Sequence, residues 1–446
     1  MSRSRTKTLS WVALACLVVP MFASYFFDDA FSTVSHLFKD PSSLALGWDS
    51  SDLGDFIGDY SLLCVCGGLI VGGILLDIFG VRVMGSVFVA MMVGGAALAY
   101  VGVSSGLPKE GAIALGRIGR MLFGLGSEIA GVAVTRSIAK WFKGGGMSFA
   151  MGLQLAIARA GTGIALIAAP FIVGVPKDFY ALADTARPAL VGLVLLLLGA
   201  LVWAVFVALD ARKDAADGVV RTRGQVAEED RFSFKDILTL LRNPRFVMIG
   251  LLCVTFYCCV SSFKKFGTSV VIPRFGISDS VAGTMVAMIP FFTIVFTPLF
   301  GAVVDRVGHA TRWMIGGSLS VLAGHLILAF APLGARFFGF AGIALLGLGY
   351  SLVPSAMWPS VPKIVPEKNL GTAYSLIYWI QNVGLFFVPK AVGRMFASGA
   401  DPLVAVSRVE WLFITLGVAA VCIALLLRRS SANHRELGLD APSHSS

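Results

Sequence analysis

Residues 73–82 read Gly73-Ile-Leu-Leu-Asp77-Ile-Phe-Gly80-Val-Arg82. The pattern returns at Gly301-Ala-Val-Val-Asp305-Arg306-Val-Gly308-His309, with Arg312 close behind. Each G-x-x-x-D-x-x-G closes a long apolar run. One match would carry little, but two at equivalent positions in two halves of a chain mark a duplication. The first glycine is expected to permit close helix contact. The aspartate is expected to meet a neighbouring helix N-terminus and a basic residue, a contact available in one gate state only. Gly73, Asp77, Gly80, Arg82, Gly301, Asp305, Gly308 and Arg312 are therefore the candidate gating residues.

The runs around the motifs are membrane-like. Of 446 residues, 57% are hydrophobic and 14% charged, with a mean hydropathy of +0.82. Soluble domains carry about 25% charged residues. At about 20 apolar residues per span, the chain accommodates roughly twelve helices. Hydropathy places them near 9–35, 57–77, 82–103, 114–137, 147–172, 188–209, 246–271, 281–303, 313–332, 337–361, 371–396 and 407–427. An all-α membrane fold of two six-helix bundles follows. The net charge of +10 does not indicate nucleic acid. Twenty-two Lys and Arg lie in the N-terminus, the even loops and the C-terminus, nine in the odd loops and five within spans. By the positive-inside rule both termini are cytoplasmic.

Asp210 to Arg245 is the longest polar stretch and mixes both charges densely. It divides a first bundle, 1–209, from a second, 246–430, with 210–245 as linker and 431–446 as a cytoplasmic tail. Within the linker, Ser233 can cap a short amphipathic helix carrying Phe234, Ile237, Leu238 and Leu241, while 211–230 reads as a charged, unstructured segment. Arg3, Arg5 and Lys7 precede an apolar run from Leu9 to Phe27 that is too long for a signal peptide, so an uncleaved first helix is expected. All seven cysteines fall in apolar segments and read as small membrane hydrophobes.

Ionisable groups inside spans are costly and usually face a cavity or one another. The stretch Ile118–Thr162, IGRMLFGLGSEIAGVAVTRSIAKWFKGGGMSFAMGLQLAIARAGT, holds Glu128 in one span and Arg159 in the next. At 1.5 Å rise per residue they lie roughly 13 Å and 18 Å above the cytoplasmic side. Two readings stand: a structural ion pair locking two helices, or a site for a zwitterion, with Arg159 facing a carboxylate and Glu128 an ammonium. Asp28 and Asp29 end the first span, either as interface carboxylates or as an attraction for cationic substrate. His325 is a lone membrane histidine, read as packing or as a proton relay. Lys264 and Lys265 either snorkel or face a cavity. Tyr350, Trp358, Tyr374, Tyr378, Trp379, Gln381 and Asn382 line the tenth and eleventh spans, and the two amides are the better cavity candidates because buried amides need partners.

The duplicated motif resembles the loop signature of the major facilitator superfamily, and Arg120-Met-Leu-Phe-Gly124-Leu-Gly126 resembles its fourth-helix pattern. The likeness narrows at FGLGSE (123–128), WFKG (141–144), GLQLAIARAG (152–161), LGLGYSL (346–352), Trp358-Pro359, VPEKNLGTAYSL and Ile380-Gln381-Asn382. These resemble the vertebrate lysosomal dipeptide transporter branch, in a bacterial-type relative. The resemblance implies alternating access and a peptide cavity that includes Glu128 and Arg159. It matches one acidic residue to Asp29, and makes Arg120 a structural charge anchoring the fourth helix to backbone carbonyls of the first. The substrate site expected on these grounds comprises Glu128, Arg159, Asp29, Gln381, Asn382, Tyr350, Trp358 and Lys264.

No phosphate-binding loop, H-E-x-x-H or nucleophile elbow is present, so the chain reads as no enzyme, with no cofactor and no metal. A symporter or uniporter for small zwitterions, most of all dipeptides, is expected. The antiporter signature of the fifth helix is degenerate, with Ala169-Pro170 and Gly174 remaining. An organic anion transporter of the same fold, and a transport-dead receptor or assembly partner, are the rivals. Proton coupling and an accessory membrane protein stay open. A monomer in the bacterial inner membrane is expected, with the lysosomal membrane as the alternative.

Overall fold

The computed structural model describes residues 3–34, 37, 47–142, 147–175, 181–216, 234–366, 369–398, 401–433 and 439–441. Their regular structure is helical: α1 (Arg3–Asp29), α2 (Ser50–Gly58), α3 (Leu69–Ser104), α4 (Lys109–Trp141), α5 (Met147–Val173), α6 (Leu182–Ala216), α7 (Phe234–Leu241), α8 (Pro244–Tyr257), α9 (Phe263–Phe275), α10 (Asp279–Val307), α11 (Ala310–Phe330), α12 (Arg336–Met357), α13 (Leu370–Ala397) and α14 (Pro402–Asn433). A 3₁₀ turn (Asp59–Ser61) and a π turn (Cys64–Gly68) join α2 to α3. A second π turn (Cys258–Ser262) joins α8 to α9, and a 3₁₀ turn (Trp358–Lys363) follows α12. Among the described residues, eleven helical segments are long and apolar enough to cross a membrane. α13 is of similar length but diluted by Tyr378, Trp379, Gln381, Asn382 and Lys390.

The expected helix ends need adjustment where hydropathy is a poor guide. α1 stops at Asp29, short of residue 35, and starts at Arg3, ahead of its apolar run. The second span starts at Ser50, before its apolar run, because Asp49 accepts from the amides of Ser51 and Asp52 at the helix start. α6 runs on to Ala216, so residues 211–216 are helical and not unstructured linker. Residues 217–233, including the Ser233 cap, lie outside the described residues. Spans two and three follow one another across Gly80, whose φ of 77° breaks the helix.

Two compact units emerge. The N-terminal unit comprises Met1–Phe31, Asp40–Gly47 and Asp59–Ala227, and the C-terminal unit comprises Ser32–Lys39, Trp48–Gly58 and Glu228–Ser446. Within the first, α3 packs on α4, and α1 on α5 and α6, with α3 also meeting α6. Within the second, α11 packs on α12, and α8 on α13 and α14, with α11 also meeting α14. The same neighbour scheme thus occurs twice. Small residues make the seams: a Cβ on Gly126 would lie 2.6 Å from the Met92 amide, and one on Gly349 2.6 Å from the Gly317 carbonyl. α2 sits on α13 in the same manner, with Gly54 against Pro389 and Gly393.

Candidate functional site

In the N-terminal unit a chain of polar contacts links α1, α4, α5 and the turn before α3. Tyr60 is brought against α4 by Gly124, where a Cβ would overlap the Tyr60 carbonyl. From there its hydroxyl donates to Glu128 Oε1 at 3.1 Å. Among the described residues this phenol is the one hydrogen-bond partner of Glu128, which has no counter-charge. Ser127, next to it, lies 2.5 Å from Ser24 of α1 through their hydroxyls. The carboxylates of α1 are both engaged: Asp28 Oδ1 accepts from Arg120 Nη2 at 2.7 Å, and the buried Asp29 accepts from Thr162 of α5 at 2.7 Å. Arg117 Nε donates to the buried Asp59 at 2.5 Å.

Two expectations change here. Glu128 and Arg159 do not form an ion pair, because α4 packs mainly on α3 while α5 packs on α1, so α4 and α5 are not close neighbours. Arg159 is half-buried on α5. Arg120 meets α1 through the Asp28 carboxylate, in addition to any carbonyl contact. At 1% exposure its guanidinium is also ringed by Phe31, Tyr60 and Phe123, at 5.4–5.8 Å from each centroid. Cation–π contact compensates part of the desolvation that burial imposes on the charge.

In the C-terminal unit the expected residues gather around the π turn Cys258–Ser262. Tyr350 and Ser261 share a hydrogen bond of 3.1 Å, and Trp358 donates through its indole to the Tyr257 hydroxyl at 3.2 Å. Trp358 stacks on Tyr378 at 4.9 Å, and Tyr374 donates to the Trp358 carbonyl. Gln381 accepts from the Cys253 thiol at 3.5 Å. Asn382 is buried and donates to the Tyr378 carbonyl, and its Oδ1 has no partner among the described residues. Lys264 is half-buried and Lys265 buried on α9. Tyr257 and Ser261 were not foreseen, since hydropathy does not mark the π turn at and within which they lie; such turns recur at functional sites.

The motif glycines divide into two kinds. Gly80 (φ 77°) and Gly308 (φ 70°) each turn the chain through a backbone conformation that suits glycine. Gly73 and Gly301 do not mediate close packing as expected: a Cβ on either would meet open space. The seams lie elsewhere on the helices, so these positions are not at a contact. The side chain of Asp77 lies outside the described residues, and Asp305 is half-buried at the end of α10. Arg312 is exposed on the first turn of α11.

Behind each motif stands a three-way tie. Arg82 donates to Asp214 at 3.0 Å, and Lys140, at the end of α4, reaches both Asp210 and Asp214 at 2.6 Å. In the second unit Asp440 follows α14. Its carboxylate accepts from the Thr311 amide at 2.8 Å and hydroxyl at 2.9 Å and from Ser431 at 3.1 Å, and its carbonyl accepts from the His309 amide. Lys363, after α12, donates to the Ala441 carbonyl at 2.7 Å. Carboxylates near the end of α6 in one unit and just beyond α14 in the other are thus both tied to the region that follows a motif. The sequence shows the acids, but not that they return to the motif loop.

The comparisons with known proteins agree with this architecture. The model of the Major Facilitator Superfamily matches residues 12–389 and 258–442. The lysosomal dipeptide transporter MFSD1 of Mus musculus is 30% identical over 375 residues, covering 81% of this chain and 76% of that one. The Homo sapiens protein of the same name is 28% identical over 374 residues, covering 81% and 75%. The partially occluded inward-open structure of the xylose transporter XylE from E. coli aligns with a TM-score of 0.69 at 14% identity, covering 94% of this chain and 99% of that one. A D-xylose-proton symporter structure aligns at 0.66 and 15%, covering 96% and 97%. These two show the fold alone. With a duplicated motif, one neighbour scheme used twice and a family match across most of its length, the chain belongs to the Major Facilitator Superfamily, as a multi-pass membrane transporter of small molecules.

Proposed function

We propose that this transporter carries dipeptides, Glu128 receiving the peptide ammonium and Arg159 the peptide carboxylate. One observation carries the proposal: Glu128 lies in the interior of α4 with a neutral phenol as its hydrogen-bond partner and no counter-charge among the described residues. A charge at membrane depth costs roughly 2.5–3.5 kcal/mol on insertion scales, so an ammonium brought by the substrate would satisfy what the fold leaves unsatisfied. Arg159 offers the planar fork that suits a carboxylate. The dipeptide transport for which the MFSD1 relatives are named supports the same substrate class.

Asp29, held by Thr162, shapes the acidic side of the site. In the C-terminal unit, Gln381, Asn382, Tyr350, Trp358 and Lys264 supply amide, hydroxyl, indole and ammonium groups for the peptide backbone and side chains. The two motif turns with their acidic ties act as the inner gate of alternating access, with the termini on the same cytoplasmic side. Purified protein in liposomes tests this with labelled alanyl-alanine. Uptake is expected in the native protein and lost in Glu128→Gln and in Arg159→Ala. Undiminished uptake in both variants overturns the site, and competition by dicarboxylates but not peptides overturns the substrate class.

A further inference from the structure

The C-terminal unit holds a buried pair of ionisable groups of its own. His325 of α11 and Glu410 of α14 are both 0% exposed, with Nδ1 and Oε2 separated by 2.9 Å. His325 stacks on Phe413 at 5.0 Å and 23°, and meets the Phe263 edge at 5.3 Å. Among the described residues neither His325 Nε2 nor Glu410 Oε1 has a hydrogen-bond partner. An inert structural bond does not require a second, unsatisfied nitrogen in a fully buried site, since each such atom is costly.

The chemistry of the pair follows from what each atom can do. Ionised Glu410 only accepts, so Nδ1 carries the hydrogen and the next proton enters at Nε2. Without that proton the site holds a net negative charge away from water. With it, imidazolium and carboxylate neutralise one another, and the cation lies over the Phe413 ring. The Nδ1–Oε2 bond persists in both states, so one proton binds and leaves without dismantling the pair.

Its surroundings connect it to the ligand groups. Cys259, in the π turn, donates to the Phe413 carbonyl at 3.4 Å, and Phe263, directly after the turn, touches both His325 and Phe413. The same five-residue turn holds Ser261 on Tyr350, and Tyr257 just before it receives Trp358. A change of charge at the pair therefore reaches the candidate substrate residues through one short, irregular segment. The charged and titratable groups around it are few. The π turn presents the Cys259 thiol, and α9 carries Lys264 and Lys265 beside Phe263. α13 carries Lys390 and Arg394, which are engaged with Asp55. α8 carries Arg245, Cys253 and Tyr257, α12 carries Arg336 and Tyr350, and α14 adds Arg408, bonded to Ser398, with Cys422, Arg428 and Arg429 further along.

We infer that the His325–Glu410 pair is a proton-binding site that couples substrate passage to proton movement. The coupling partner deepens the proposed dipeptide transport and rests on it, but proton binding by the pair does not. Two measurements on the full-length protein test them apart. In nuclear magnetic resonance of purified protein labelled with ¹⁵N-histidine, His325 Nε2 is expected to pass from bare to protonated as the pH is lowered. Loss of the signal in His325→Gln assigns it, and a shifted transition in Glu410→Gln shows the pairing. A His325 that keeps one state throughout overturns the proton site.

In liposomes with an internal pH dye, an alanyl-alanine gradient is expected to move protons in the native protein. Each unit of imposed pH gradient should raise accumulation by up to about tenfold for one coupled proton. His325→Gln and Glu410→Gln should exchange alanyl-alanine while losing both effects. Dipeptide transport without protons in the native protein, or unchanged proton flux in both variants, overturns the coupling. Absence of any dipeptide transport overturns the substrate class and leaves the resonance titration to decide the proton site.

Discussion

Tyr60 donates its hydroxyl hydrogen to Glu128 across 3.1 Å, from a 3₁₀ turn into the middle of a membrane helix. The contact exists because Gly124 lets the Tyr60 backbone lie directly on α4. A neutral donor orients the carboxylate without cancelling its charge. Tyr60→Phe removes one hydrogen bond to a charged group, worth about 1.5–3 kcal/mol. Dipeptide affinity in a binding assay is expected to fall by about tenfold or more, while the protein stays folded. Full affinity in Tyr60→Phe would show that Glu128 needs no orientation.

Arg120 and Asp28 form the ion pair that joins α4 to α1, and the arginine is almost wholly buried. Removing one partner leaves the other charge uncompensated, which in buried pairs costs about 3–5 kcal/mol. Asp28 keeps some contact with solvent, so Asp28→Asn should fall at the lower end. Thermal unfolding in detergent checks this. Arg120→Lys is also expected to destabilise, because an ammonium cannot lie flat against Phe31, Tyr60 and Phe123 as a guanidinium does.

The α3–α4 seam makes a sharp contrast available. Gly119→Val places methyl groups into the α3 backbone at Ala99 and should cost about 1–3 kcal/mol through overpacking. Gly94→Ala on the same helix pair, where a Cβ meets nothing within 4 Å, should change stability by about 0.5 kcal/mol or less. Equal effects at both sites would mean the seam is not close-packed.

Within the motifs, Gly80→Ala and Gly308→Ala place a side chain at positive φ, at a cost of about 1–3 kcal/mol. Gly73→Ala and Gly301→Ala meet open space and should leave thermal stability close to native. Any loss of transport in the latter pair, with stability intact, would locate their role in a different gate state.

Asp440 holds Thr311, Ser431 and the His309 amide together, and Lys363 reaches the neighbouring Ala441 carbonyl. Asp440→Ala should free the loop between α10 and α11. Faster amide hydrogen exchange over 308–312 is the expected readout, with exchange over 80–86 in the other unit unchanged.

Much of this architecture was legible in the residues. Apolar runs of about 20 residues mark spans regardless of their neighbours, because each helix must satisfy its own backbone in lipid. The twin G-x-x-x-D-x-x-G motifs revealed the duplication, and the positive-φ turns at Gly80 and Gly308 fall where the motif ends. Glu128 and Arg159 stood out because a charge in an apolar run is costly wherever the helix packs. Glu410 carried the same signal, three residues into an expected span, and its value was hidden by its place near the span edge.

Partnership was not legible. Adjacent spans suggested that Glu128 would face Arg159, yet α4 lies on α3 and α5 on α1, and the acid's partner is Tyr60. His325 read as solitary until α14 brought Glu410 to 2.9 Å across 85 positions of sequence. Asp210, Asp214 and Asp440 read as linker and tail charges until helix ends carried them to the motif loops. The sequence by itself determined that the chain forms apolar helices in two halves, where the motif turns fall and which charges lie in apolar runs, because those depend on local composition and on transfer to lipid. Which charges meet was decided only by tertiary structure, because it depends on which helix faces pack together, and small-residue seams such as Gly119, Gly124 and Gly126 set that packing.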